Sequence, residues 1–521
     1  MMPIKVWTRT LVVRLSRAAF FRFFFGLYYR AAWLIFSRAA RFLFPETLSI
    51  KLHRGYSTRE WEPGISDIDA VLEIRELTPA ENARFISRWR KFYNGLKVFF
   101  PVLGETIVAS RAEQELYYAW GDIRAAERTG APGQERTLSG IKTALDLWTE
   151  GLHAHTQLCK LAISLGPVPA PVAGRAVRKF VLDVARHSAA YRRSSPPPAI
   201  KSRLETEKAL DEYGDIVPPQ LRALISGGGA SATDAALKRA AQLACAHTAN
   251  ILEQDAASLL GRLEGFTVPA PAVKLVAPPP EEDAAAMRIG QLLEKRLGGF
   301  FSSAVFDNVS SSFVVLNGVP GCADDLACGI SILDSMTEWY PSMRGTIFPL
   351  GPGSLCLMGL GPYDDDPLKM GFPPDLRLEA ASYACLQSGE AAPFSAHRRT
   401  FFRTGEIRRL SPCEPLLGAM YRESLSHFLR TWRTLLEPGQ SGAVYAVSRA
   451  AALWLYFVKR MPQPCFPLEP LLEAFKNAGA PEDRVRVLET TLSTGLRPEA
   501  IEIISALNAE TLAAAAAQRA A

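Results

Sequence analysis

Beyond residue 45 the apolar and polar positions fall into short runs of two different periods. "LSIKLHRG" (48–55) and "DIDAVLEI" (67–74) alternate apolar with polar side chains, as strands with one face in a core do. Between them "YSTREWEPGIS" supplies turn residues. "TPAENARFISRWRKFYNGL" (78–96) then takes a helical period. It opens with Thr78 as N-cap, Pro79 at the first helical position and Glu81 three residues after the cap, and is expected to end near Asn94-Gly95. "LGETIVAS" (103–110) predicts a third strand, leading into a helix over 111–127. The pattern is a β-turn-β-α-β-α unit.

The remaining chain reads as predominantly helical, broken by Pro/Gly/Ser-rich stretches at 128–137, 192–201, 225–233 and 277–283. Residues 299–371 have a mixed texture, in which "SSSFVVLNGV" and "GSLCLMGL" could form strands or buried turns. Helices are expected again from residue 380, and "AETLAAAAAQRAA" reads as a frayed tail. The expected organisation is a basic aromatic helix over 1–45, an α+β domain with a small mixed sheet over 46–127, a helical region over 128–280, and a mostly helical C-terminal region over 281–521. No repeat of fixed period occurs.

With 521 residues, 48% hydrophobic and 21% charged, the chain has the composition of a multidomain globular protein. Its net charge of +6 is too small to argue for nucleic acid. The distribution is more informative: no Asp or Glu precedes Glu46, while eight Lys and Arg residues from Lys5 to Arg41 do. The eight cysteines form no Cys-x-x-Cys pair, which reads as free thiols in a reducing, cytoplasmic setting.

"LVVRLSRAAFFRFFFGLYYRAAWLIFSRAARFLF" (11–44) lacks proline and should form a long helix. Its uncharged runs fall far short of the roughly 20 residues that cross a bilayer, so no transmembrane segment is expected. Three readings compete: packing against the following domain, peripheral contact with an anionic membrane, and an Arg-rich transit peptide.

Asp67 and Asp69 stand at i and i+2 of a strand and project to one face, with Ile68 turned to the core. Mg²⁺ bridges such a pair naturally, because it takes oxygen ligands and completes its shell with water and substrate phosphates. Asp-x-Asp alone is a weak signal, equally consistent with a strand end or an Asx-turn. Three further features raise its weight. Gly55 lets a backbone approach phosphate oxygens, the Ser57 hydroxyl can donate to them, and Glu105 begins a strand that a β-α-β crossover would set beside the aspartates. Lys51, Arg54 and Arg59 could neutralise a triphosphate or be ordinary surface charge.

The order His53-Arg54-Gly55-Tyr56-Ser57, a gap, Asp67-Ile68-Asp69-Ala70 and a later acidic strand with Glu105 resembles the DNA polymerase β nucleotidyltransferase superfamily, in particular its small bacterial and archaeal domains. The resemblance covers 47 to about 125. It implies a nucleotidyltransferase-like fold, with Asp67, Asp69 and Glu105 as catalytic ligands of two Mg²⁺ ions, or Mn²⁺ in their place. It further implies that Gly55, Tyr56, Ser57 and Ser66 contact the nucleotide, and that an NTP donates its nucleoside monophosphate to an acceptor the sequence does not identify. Tyr56 occupies a position where the family carries Gly or Ser, and Glu105 one where Asp is commoner.

Two rivals stand beside this reading. One is a catalytically silent nucleotidyltransferase-like binding or scaffold protein; the other is a metal-dependent glycosyltransferase, which would place several α/β units ahead of its Asp-x-Asp. Asp364, Asp365 and Asp366, and also Asp324 and Asp325, read as solvated loops. His153 and His155 fall in a helical pattern, where i and i+2 side chains diverge. No nucleophile elbow, His-Glu-x-x-His or P-loop is present.

Overall fold

A computed structural model of the chain describes residues 11–53 without 17, then 61, 63, 64 and 66–121. It further describes 170–192, 265–275, 301–307, 312–317, 345–349, 355–359, 405–436, 440–462, 468–494 and 498–520, and helical positions within 140–158 and 244–263. These residues divide into two compact units.

The first unit joins Leu11–Thr129 to Ala419–Ala521. It begins with α1 (Ala19–Leu43), whose buried residues Tyr29, Ala32, Phe36 and Ala40 form one stripe. Next come β1 (Thr47–His53), β2 (Ile68–Ile74), α2 (Pro79–Phe99) and β3 (Leu103–Ser110). The strands form a sheet of order β1-β2-β3, antiparallel in the first pair and parallel in the second. The expected small mixed sheet with helices is therefore present.

β2 alternates buried and half-buried residues along its length, with Ile68, Ala70, Leu72 and Ile74 in the core. The capping box of α2 forms as its sequence predicts: the Thr78 hydroxyl accepts from the Glu81 amide and the Glu81 carboxylate accepts from the Thr78 amide. The helix continues past Asn94-Gly95 to Phe99, because an Asn-Gly pair can stay helical when the flanking turns are held. Phe36 and Phe44 of the N-terminal segment pack against Trp89 and Phe92 of α2, so α1 is an integral part of this unit.

After β3 a short helix α3 (Arg111–Leu116) runs into a π-helical turn (Tyr117–Gly121), less regular than the straight helix expected over 111–127, of which 122–127 lie outside the described residues. The unit is completed by α5 from Ala419 onward, its full span being Glu414–Leu435, and by α6 (Gln440–Lys459), α7 (Leu468–Asn477), α8 (Glu482–Thr494) and α9 (Pro498–Ala520). The Ala-rich tail does not fray. α9 runs to Ala520, packs on α2 and α6, buries Ile504, Leu507 and Ala515, and its Gln518 side chain donates to the Phe457 carbonyl at 3.2 Å. Over Pro498–Arg519 it is also long and apolar enough to cross a membrane, as a core helix of this length can be.

The second unit takes in Gly130–Leu368 and Pro374–Gly418. Its helical part contains α4 (Ala170–Arg192) and the helical positions at 140–158 and 244–263. Trp148 donates to the Leu252 carbonyl at 3.0 Å, and Ser188 and Arg192 both donate to Asp255. Beside these helices stands a six-stranded antiparallel sheet, four of whose strands fall in the 299–371 segment of mixed texture. Its strands are β4 (Thr267–Leu275), β5 (Phe301–Asp307), β6 (Ser312–Asn317), β7 (Gly345–Pro349), β8 (Leu355–Gly359) and β9 (Gly405–Pro412), in the order β7-β8-β6-β5-β4-β9. β6 and β8 match the two stretches singled out in the sequence. β4 and β9 correct the helical expectation around them. Prolines at 269 and 271 masked β4, and the sheet accommodates them beside a register shift between Ala270 and Val273.

Candidate functional site

β1 ends, and β2 and β3 begin, at the same edge of the three-stranded sheet. His53 pairs with Asp69, and Ile68 pairs with Leu103. Asp67 stands immediately ahead of β2, where the Ile68 amide donates to the Val102 carbonyl at 2.7 Å. Alternation does the rest. With Ile68 in the core, Asp69 takes the opposite, half-buried face.

The pairing of β2 with β3 then slips. Ile68 faces Leu103 but Ala70 faces Thr106, so Gly104 and Glu105 together oppose Asp69. The extra residue is a bulge of the kind that re-aims side chains at the end of a sheet. Its backbone is fastened by the carboxylate: the Glu105 amide donates to Asp69 Oδ1 at 2.9 Å.

Gly104 sits against both aspartates. A Cβ built on it would fall 2.6 Å from the Asp67 Cβ and also overlap Asp69 Oδ1, a contact that no real side chain sustains. Glycine is required here for close approach of the strands, which is the usual meaning of glycine within a strand. Across the bulge, the Tyr93 hydroxyl of α2 donates to the Gly104 carbonyl at 2.5 Å. Burial pushes the Tyr93 phenol well above its ordinary range, and the negative charges of Asp69, Asp67 and Glu105 push it the same way. The phenol is thus held neutral as a donor, within electrostatic reach of all three carboxylates.

The other wall is aromatic. Tyr29 of α1 donates to the Ser66 carbonyl at 2.7 Å, one residue before Asp67, and its ring lies 4.8 Å from that of Trp61. Trp61 in turn touches the position of Gly26.

Of the residues expected in the site, the structure therefore brings Asp67, Asp69 and Glu105 to one strand edge, with Ser66 beside them. Gly55, Tyr56 and Ser57, along with Arg54 and Arg59, lie outside the described residues, and Lys51 is exposed on β1. Among the described residues no group of three or more His, Cys, Asp or Glu side chains is gathered closely enough to hold a metal ion. His155 is fully buried, with Nδ1 2.5 Å from the Thr248 hydroxyl, while His153 and the aspartates at 324, 325 and 364–366 lie outside the described residues. Sequence reasoning missed Gly104, Tyr93 and Tyr29. Gly104 alone carried a signal, as a glycine directly before an acid at a strand start.

Compared with known proteins, the chain matches no family model, and neither a curated protein nor a solved structure matches it.

Proposed function

We propose that this edge of the sheet is the active site of a Mg²⁺-dependent nucleotidyltransferase. One observation carries the reading: Asp67 and Asp69 both stand against Gly104, and the Glu105 amide is fastened to Asp69 at the same end of the sheet. The donor set fits the ion in kind. All three are hard oxygen ligands, and Mg²⁺ is commonly held by one or two carboxylates with water and substrate phosphates completing its shell. Asp67 and Asp69 would hold it, and Glu105 would complete the site when nucleotide is present. The ion would supply charge neutralisation at the phosphates.

On this reading an acceptor hydroxyl attacks the α-phosphorus of an NTP. The bond from that phosphorus to the bridging oxygen breaks, pyrophosphate leaves, and Glu105 accepts the hydroxyl proton. Tyr93 orients the bulge that carries Glu105 and Asp69. Tyr29 fixes the backbone just ahead of Asp67.

A silent binding protein is the second reading, and one observation favours it: Asp69 Oδ1 is already engaged by the Glu105 amide, as a purely structural aspartate at a bulge would be. A thermal-shift titration with each NTP, with and without Mg²⁺, separates the two. The enzyme reading requires a metal-dependent stabilisation by nucleotide, and α-labelled NTP in lysate should transfer its label to an acceptor. Absence of both effects in folded protein would overturn it.

A further inference from the structure

We infer that the outward face of α1 docks on an anionic phospholipid surface. At about 100° per residue, the buried residues Tyr29, Ala32, Phe36 and Ala40 fall within an arc of roughly 80°. Phe20, Phe23, Phe24, Leu27, Leu34, Ile35 and Phe42 fall within about 120° on the opposite side. Every one of these seven is exposed, Phe20 at 66%, Phe23 at 62% and Phe42 at 86%. The protein covers one side of an all-round apolar helix and leaves the other to something else.

The exposed side is aromatic, contiguous and basic. Phe20, Phe23 and Phe24 lie ring against ring, at centroid distances of 4.8 Å and 5.8 Å. Arg30, Arg38 and Arg41 are exposed within or at the margin of the same arc, and α1 holds no acidic residue. Val98 and Phe99, also exposed, extend the surface at the end of α2, where the Tyr28 hydroxyl of α1 donates to the Phe99 carbonyl.

Rings that enter the headgroup boundary while arginines reach lipid phosphates describe an interfacial helix. A second copy of the chain is a poorer occupant, since a symmetric contact would bring the same three arginines together. This inference does not depend on the nucleotidyltransferase reading.

Co-sedimentation of the full chain with vesicles tests it, comparing phosphatidylcholine mixed with phosphatidylserine against phosphatidylcholine alone. The wild type should sediment with the anionic vesicles and far less with the neutral ones, and should be released by salt. Phe23→Ser combined with Phe42→Ser should weaken partition by about tenfold or more, since each removes a ring from the interface. Arg30→Gln with Arg38→Gln should weaken it roughly twenty-five-fold, at about fivefold per charge. Both pairs are exposed, and unchanged melting would show that the fold is intact. Sedimentation of these variants equal to wild type would overturn the inference, as would equal binding to both vesicles or to neither. A concentration-dependent dimer in light scattering, lost in the Phe variant and without vesicle binding, would assign the face to a second copy instead.

Discussion

Arg433 and Glu113 form an ion pair at 2.6 Å with both side chains almost wholly buried, joining α5 to the helix that follows β3. Each end is further tied down. Arg433 also donates to Asn82 Oδ1 at 2.9 Å and to the Val108 carbonyl, while Glu113 accepts from the Ser110 amide and the Trp432 indole. Asn82 continues the network to Ser505 on α9. A strand, two N-terminal helices and two C-terminal helices thus share one buried polar cluster toward the C-terminal end of β3, the end away from the candidate site.

Removing one partner of such a pair leaves a buried charge without compensation, whereas exposed pairs contribute little. Arg433→Met should therefore lower the unfolding free energy by about 3–5 kcal/mol. Arg111→Ala, which breaks the exposed pair with Glu115, should cost less than about 1 kcal/mol. Denaturant melts of the two variants give the comparison. Equal, small losses would show that the cluster does not hold the unit together.

Gly104 tests the geometry of the bulge. Its added methyl would meet the Asp67 Cβ, which is fixed to backbone and cannot swing aside. Gly104→Ala should cost about 1–3 kcal/mol, as overpacking does, and should also remove any nucleotide-dependent stabilisation. Tyr93→Phe leaves the Gly104 carbonyl without its donor and should cost about 1–3 kcal/mol. Calorimetry in the presence and absence of Mg²⁺ and NTP reads both effects.

Asp69→Asn separates structure from chemistry. The amide oxygen can still accept from the Glu105 N–H, so melting without nucleotide should stay close to wild type. The negative charge is gone, so Mg²⁺-dependent binding of NTP should fall by at least an order of magnitude if the carboxylate holds the ion. Retained metal-dependent binding in this variant would sink the assignment.

His155 in the second unit sets a pH dependence. The Thr248 hydroxyl donates to the Ala244 carbonyl, so His155 Nδ1–H is the donor to Thr248, and the ring is neutral. Burial lowers its pKa from 6.5 to about 3. The unfolded chain therefore takes up a proton near pH 6.5 that the folded protein refuses until near pH 3, and stability contributed by this site is whole above pH 6.5 and falls as pH drops through that window. At pH 5 the loss is about 2 kcal/mol. Urea melts at pH 7 and pH 5 should show this difference shrinking in His155→Leu; an unchanged pH dependence would refute it.

Much of the first unit was legible because its signals are local. Thr78 and Glu81 specify a helix start through two hydrogen bonds within four residues, and β2 declares its buried face by alternation. Asp67, Asp69 and Glu105 could be grouped because a β-α-β crossover sets neighbouring parallel strands side by side. The Gly104 bulge could not, since a register slip is settled by how two strands fit and leaves no pattern in either one. β4 was hidden for the opposite reason: its prolines argue locally against a strand, and its pairing with β9 lies more than a hundred residues away.

Local patterning suffices for the alternation that buries Ile68 and turns Asp67 and Asp69 away from the core, for the capping of α2, and for the aromatic, acid-free character of α1. Long-range packing alone sets α5 and α9 against α2 and β3, through Arg433, Asn82 and Ser505. It also decided which side of α1 is covered. Both depend on contacts between residues far apart in the chain, whose energy comes from burial and charge pairing that no local segment contains.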